Sequence, residues 1–217
     1  MPQTPKSFVE LALSLDALRF GEFTLKSGRV SPYFFNAGQL AGGRAAAALG
    51  KLYAAVIAEQ FPTADVLFGP AYKGIPLAAL AAAALAEHKD IDLPYAFNRK
   101  EAKDHGEGGN IVGGPLAGDV VIIDDVITAG TAIRESVEII RAAGARVAGI
   151  AILLDRQERG TGELSAVQEV EQSLGVKVRA VATLEALVTH VEQGGDAEKL
   201  QALLDYRARY GIAEQGI

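Results

Sequence analysis

The 217-residue chain contains no cysteine. A disulfide framework, a thiolate metal site and a cysteine nucleophile are therefore excluded together. Its longest uncharged apolar run, Ile75 to Ala86, falls short of the roughly 20 residues that a membrane span needs. That run reads instead as a buried, alanine-rich helix. The N-terminus, MPQTPKSFVELALSLDAL, lacks a basic region followed by a long apolar run and a small-residue cleavage site. An amphipathic helix is expected there, and no targeting segment. Basic residues are in the minority, 21 Lys and Arg against 27 Asp and Glu, for a net charge of −6. A sequence-independent nucleic-acid binder needs a basic face to neutralise phosphates, so neither nucleic acid nor membrane is an expected partner. No GxxxxGK[ST] loop, no GxGxxG opening a helix and no HExxH spacing occurs. His88 and His190 are expected on helix ends or faces, without a catalytic role.

What is present begins with enough apolar residues, 49% of the chain, to bury a sizeable core in one structural domain with an appendage. Its chemistry concentrates in Val120 to Ser136, VVIIDDVITAGTAIRES. Val120 to Ile123 form a β-branched run that reads as a strand buried on both faces. Asp124 and Asp125 follow, then a small-residue turn from Thr128 to Thr131. Ile133, Val137 and Ile140 recur at i, i+4 and i+7, the apolar stripe of a helix. Open N–H groups at a helix start, with the positive end of the helix dipole behind them, make a phosphate site, and Gly130 lets the backbone approach closely. Thr128 and Thr131 can add hydroxyl donors. Carboxylates are poor phosphate partners, so Asp124 and Asp125 should face sugar hydroxyls or a hydrated Mg²⁺ on the same ligand. A ligand with both parts is a ribose phosphate.

Other segments repeat the theme. Val66 to Phe68 give a strand that runs into Gly69-Pro70-Ala71-Tyr72-Lys73-Gly74 and then the alanine-rich helix. Phe20 to Asn36 read as a hairpin around a Ser27-Gly28 turn, outside the main sheet, with Lys26, Phe34 and Phe35 upon it. Gly42 to Phe61 carry a helical stripe, and Pro94 to Asn98 a strand. The following RKEAKDHGEGGNIVGGPLAGD mixes cations and acids with glycines that deny it a stable helix. Long loops of this kind inside compact domains are often lids. Gly144 closes the central helix, Arg146 to Leu154 form a strand ending in Asp155 and Arg156, and Glu163 to Ile217 read as a helix, a strand near Lys177 to Ala182 and two more helices. Strands alternating with helices argue for an α/β fold on a parallel sheet, with ligands beyond the carboxyl ends of the strands.

The Val120 to Ser136 stretch closely resembles the phosphoribosyl pyrophosphate signature of the type I phosphoribosyltransferases. The string TLKSGRVSPYFFN from Thr24 resembles the substrate-recognition hood of one branch, the orotate phosphoribosyltransferases. GPAYKG resembles the family's pyrophosphate loop, in which a non-proline cis peptide would fall at Ala71 to Tyr72. RKEAKDHG resembles its catalytic loop, which in that branch is donated across a dimer.

The resemblance implies a type I phosphoribosyltransferase fold, a mainly parallel central sheet flanked by helices, with residues 1–40 as N-terminal helix and hood and 41–217 as the core. It implies transfer of ribose 5-phosphate from phosphoribosyl pyrophosphate to N1 of orotate in pyrimidine synthesis, in the cytoplasm, by a homodimer using Mg²⁺ bound mainly through the diphosphate and water, near Asp124 and Asp125. Asp124, Asp125, Lys103 and His105 carry the catalytic role. Phosphoribosyl pyrophosphate is held by Lys26, Tyr72, Lys73, Arg99, Lys100, Lys103, His105, Asp124 and Asp125, and by the loop Val126, Ile127, Thr128, Ala129, Gly130, Thr131 and Ala132. Orotate is held by Lys26, Phe34, Phe35, Thr128 and Arg156. The alternatives are a transferase for another nucleobase, disfavoured by the hood string and Arg156, and a regulator responsive to phosphoribosyl pyrophosphate, which would not need the lid cations.

Overall fold

The computed structural model describes residues 3–25, 27–100, 110–160 and 162–212. Its centre is a sheet of short apolar strands: β3 (Val66–Gly69), β4 (Tyr95–Asn98), β5 (Ile111–Gly113), β6 (Asp119–Asp124), β7 (Arg146–Asp155) and β8 (Lys177–Thr183). The first strands in the chain, β1 (Leu18–Thr24) and β2 (Val30–Phe35), pair separately as an antiparallel hairpin. The sheet runs β5-β4-β3-β6-β7-β8. Every pairing is parallel except β4 with β5.

Because side chains alternate across a strand, each central strand feeds two apolar layers. Leu67, Val121, Ile123, Ala151 and Leu153 share one cluster with residues of α1 (Gln3–Ser14), α2 (Gly43–Gln60), α3 (Gly74–Lys89) and α6 (Leu184–Gly194). Val66, Phe68, Val120, Ile122, Ile150 and Ile152 share the other with α4 (Thr131–Ala142) and α5 (Ala166–Leu174). The doubly buried reading of Val120 to Ile123 holds, for all four residues are fully buried.

The strand order sets the site. From β3 the chain passes to β4 on one side and later returns to place β6 on the other. The loops leaving the carboxyl ends of β3 and β6 therefore diverge at a topological switch point, where a crevice opens. Strand β5 departs from the expectation of loop throughout this segment. Glycine-rich composition hides it, and pairing of Ile111 and Val112 with Asn98 and Phe97 supplies the order that local propensity lacks.

The β1–β2 hairpin closes through a turn in which Gly28 N–H donates to the Leu25 carbonyl at 2.9 Å. Its inner residues, Leu18 and Tyr33, are buried in the main core, and Phe35 meets Phe8 edge-on at 5.7 Å. The last helix, α7 (Ala197–Tyr210), backs the hairpin: Arg29 lies over the Tyr210 ring at 4.9 Å. Among the described residues, no helix is long and apolar enough to cross a membrane.

Candidate active site

Strand β6 carries the acids to the switch point. Tyr53, fully buried on α2, donates its hydroxyl to the Asp124 carbonyl at 2.7 Å, and the Asp125 carbonyl accepts from Leu153 N–H on β7 at 2.9 Å. The backbone of the acid pair is thus tied from both sides. The Asp124 carboxylate accepts from Asp125 N–H at 2.9 Å. Burial, opposed by that hydrogen bond and reinforced by the neighbouring Asp125 charge, pushes its pKa up to about 6. Asp125 is only 5% exposed; one oxygen accepts from Val126 N–H at 2.9 Å and the other from Lys73 Nζ at 2.7 Å. The Asp125 hydrogen bond in turn raises the Lys73 pKa.

Lys73 comes from the loop after β3, in which the Ala71–Tyr72 peptide is cis. Asn98, at the end of β4, accepts from Ala71 N–H at 3.0 Å. The helix start presses hard against β6: a Cβ on Gly74 would lie 2.7 Å from the Ile123 carbonyl oxygen. Only glycine permits that approach. On the other side, Gly130 caps α4 in the left-handed region at φ 69° with no side-chain cap, a conformation that glycine adopts without penalty. The first backbone bond of the helix is Arg134 N–H to the Gly130 carbonyl. The amides of Thr131, Ala132 and Ile133 precede it and have no intrahelical acceptor. Arg134 also clamps the turn from outside, donating to the Ala129 carbonyl at 2.8 Å.

Pro70 to Lys73 and Asp124 to Ile133 together line one pocket of about 230 Å³. Its lining includes two carboxylates and an uncapped helix start. Such a cavity suits a sugar with an anionic group at each end.

A phosphoribosyl transferase domain model matches residues 37–181. Over 208 residues the chain is 60% identical to the orotate phosphoribosyltransferase of Vibrio parahaemolyticus, covering 95% of this chain and 98% of that one. The chain belongs to the orotate phosphoribosyltransferase family. The Photorhabdus laumondii member is likewise 60% identical over 95% of this chain and 98% of its own. Among solved structures, the orotate phosphoribosyltransferase of Francisella tularensis aligns with a TM-score of 0.87 at 43% identity, over 94% of this chain and 98% of that one. The member from Aeropyrum pernix aligns with a TM-score of 0.66 at 30% identity, over 87% and 98%.

The other residues expected to serve an orotate phosphoribosyltransferase fall in several places. Lys26, Lys103 and His105 lie outside the described residues. Arg99 donates its N–H to the Asn110 carbonyl at the mouth of the β4–β5 hairpin, and Lys100 Nζ sits 5.2 Å from the centre of the Tyr72 ring, which is 67% exposed. Phe34 and Phe35 are adjacent on β2 and so face opposite ways. Phe34 packs with Phe23 at 5.5 Å under Arg19, while Phe35 turns to Phe8. Arg156, at the end of β7, lies over Tyr33 at 4.2 Å. Arg99, Lys100, Phe34, Phe35 and Arg156 do not line the Asp124 pocket. The sequence reading passed over Tyr53, Asn98 and Arg134. All three act on backbone groups distant in the chain or hidden in a turn, for which a side-chain motif gives no signal.

Proposed function

We propose that this enzyme transfers the ribose 5-phosphate group of phosphoribosyl pyrophosphate to N1 of orotate, giving orotidine 5′-phosphate and pyrophosphate. The observation that supports it most is the meeting, in one pocket, of the uncapped start of α4 with Asp124, Asp125 and Lys73. The amides from Thr128 to Ala132 would hold the 5′-phosphate. The carboxylates would hold the ribose hydroxyls, and Lys73 with the Tyr72 backbone would meet the diphosphate. Phe34, Phe35, Thr128 and Arg156 would frame the base, with Lys26 at its edge, and Arg99, Lys100, Lys103 and His105 would cover the leaving group.

Breaking the anomeric C–O bond leaves the electron pair on pyrophosphate and positive charge on the ribose while N1 approaches from the opposite face. The protein's task is to stabilise separated charges more than to move protons. With a pKa of about 6, Asp124 is mostly ionised at neutral pH and can stabilise an oxocarbenium-like ring. Lys73 is held by Asp125, so a diphosphate that drew it away would free the Asp125 oxygen for a sugar hydroxyl. Closure of the lid would keep water from the ribosyl cation.

Among the described residues no three His, Asp or Glu side chains gather as a metal cage. The donor set, two adjacent carboxylates with one committed to Lys73, fits a Mg²⁺ carried in by the diphosphate. Bound there, the ion would neutralise charge on the leaving group. The enzyme would act in the cytoplasm as a homodimer that shares its catalytic loop.

The test is spectrophotometric. Purified enzyme with Mg²⁺ and phosphoribosyl pyrophosphate should consume orotate absorbance and leave adenine and hypoxanthine untouched. Turnover of a purine instead of orotate would overturn the assignment.

A further inference from the structure

In the proposed reading the switch-point pocket takes phosphate and ribose, and Arg156 is one of the residues that frame the base; no motif singled out its surroundings. Arg156 Nη2 lies 2.6 Å from Glu158 Oε1 and donates to Ser31 Oγ at 3.2 Å. The guanidinium stacks on Tyr33 at 4.2 Å, and the Tyr33 hydroxyl donates to the same Glu158 oxygen at 3.1 Å. Ser31 and Tyr33 are fully buried, and Ser31 Oγ donates onward to the Tyr33 carbonyl at 2.8 Å. Behind them the Tyr206 ring of α7 meets Tyr33 edge-on at 6.3 Å. Its buried hydroxyl lies near Ser31 and Arg156 but makes no hydrogen bond of good geometry. The backbone that carries Glu158 is itself tied to the end of α7. Arg159 N–H donates to the Tyr210 carbonyl at 2.8 Å, and Ile212 N–H to the Gln157 carbonyl at 3.0 Å.

A mobile guanidinium would have to be frozen when the base arrives, and an unpaired one would attract any anion, phosphate and diphosphate included. Here Glu158 and the β2 residues Ser31 and Tyr33 already hold it. Its nearest carboxylate offsets much of its charge, so recognition shifts from net charge to geometry. Both closest polar contacts use Nη2, which leaves N–H groups on Nη1 and on Nε, on separate edges of the guanidinium, each as a single donor to an incoming acceptor.

We propose that Glu158 is a positioning residue of the base site: braced by Tyr33, it holds and partly neutralises Arg156 so that the guanidinium offers a preset N–H donor to the pyrimidine's carboxylate or carbonyl. This rests on the reading of Arg156 as a base contact.

The test is a double-mutant cycle on the full-length enzyme with Arg156→Ala, Glu158→Ala and both, plus Glu158→Gln as a variant of preserved size and Tyr33→Phe. For Glu158→Ala and Glu158→Gln the KM for orotate should rise about five-fold or more, while the KM for phosphoribosyl pyrophosphate changes less than about two-fold. Tyr33→Phe should move orotate KM the same way by less. In the Arg156→Ala background, Glu158→Ala should change orotate KM by less than about two-fold, because its effect runs through the arginine. A wild-type orotate KM in a folded Glu158→Gln protein would overturn the inference. So would a parallel rise in both KM values, or effects that multiply in the double variant. If Glu158→Ala does not fold, Glu158→Gln and Tyr33→Phe decide. An unchanged orotate KM in Arg156→Ala would instead remove Arg156 from the base site, and the role of Glu158 with it.

Discussion

Asp124 and Asp125 are neighbours in sequence with opposite circumstances. Asp125 is pinned by a lysine and an amide, while Asp124 is held chiefly by one backbone N–H and is raised by burial to about 6. The pKa of Asp124 is higher folded than unfolded, so the folded protein binds the extra proton between the two values. Stability therefore falls as pH rises from about 4 to about 6, and this contribution is flat above that. The unfavourable contribution at neutral pH is about 2 to 3 kcal/mol at most. Ligand-free Asp124→Asn should accordingly melt a few degrees above wild type at pH 7.5, with the gain vanishing near pH 4, as followed by circular dichroism. An equal gain at both pH values would show that burial of the charge is not the cause. Asp125→Asn should stay folded yet lose kcat by about 100-fold or more, since its value lies in the transition state. A variant that instead unfolds would assign Asp125 a structural role. The motif made both acids legible. Their difference was not, because it depends on Tyr53 and Lys73, which reach the pair from elsewhere in the chain.

At the level of elements, the two turns that flank the pocket are held by contacts no larger residue would allow. Gly74→Ala would drive a Cβ toward the Ile123 carbonyl and the backbone of Gly69. The loop bearing Lys73 must then shift, and a KM for phosphoribosyl pyrophosphate at least about ten-fold higher is expected, with a smaller change for orotate. Wild-type kinetics would mean that the loop tolerates the movement. Tyr53→Phe removes the hydroxyl that holds the Asp124 carbonyl. It should cost about 1 kcal/mol of stability in urea denaturation and lower kcat more than it raises either KM. Equal loss of stability with unchanged kcat would confine Tyr53 to the core. The strands and helices around these turns were readable from the continuous apolar runs of Val66 to Phe68 and Val120 to Ile123 and from the helical stripe of Ile133, Val137 and Ile140. Strand β5 was not, because Ile111 and Val112 gain their order from β4 and not from their own glycine-rich surroundings.

For the whole molecule, the order β5-β4-β3-β6-β7-β8 explains why residues some fifty positions apart, Lys73 and Asp125, end 2.7 Å from one another. Periodicity indicates that a parallel sheet forms; the strand order, and hence which loops meet, follows from packing across the whole chain. The β1–β2 hairpin was legible through its Ser27-Gly28 turn. Its anchorage on α7 was not, because Arg29 and Tyr33 find Tyr210 and Tyr206 only in three dimensions. If Lys103 acts across a dimer, mixing the inactive Lys103→Ala and Asp125→Asn proteins should restore activity, up to about a quarter of wild type for random pairing. No recovery after subunit exchange would place each lid over its own site.

The most direct measurement is a crystal structure of the enzyme soaked with orotidine 5′-phosphate. The phosphoryl group should rest on the amides between Thr128 and Ala132, with the ribose hydroxyls on Asp124 and Asp125. A phosphoryl group bound elsewhere, or both carboxylates turned from the sugar, would contradict the account.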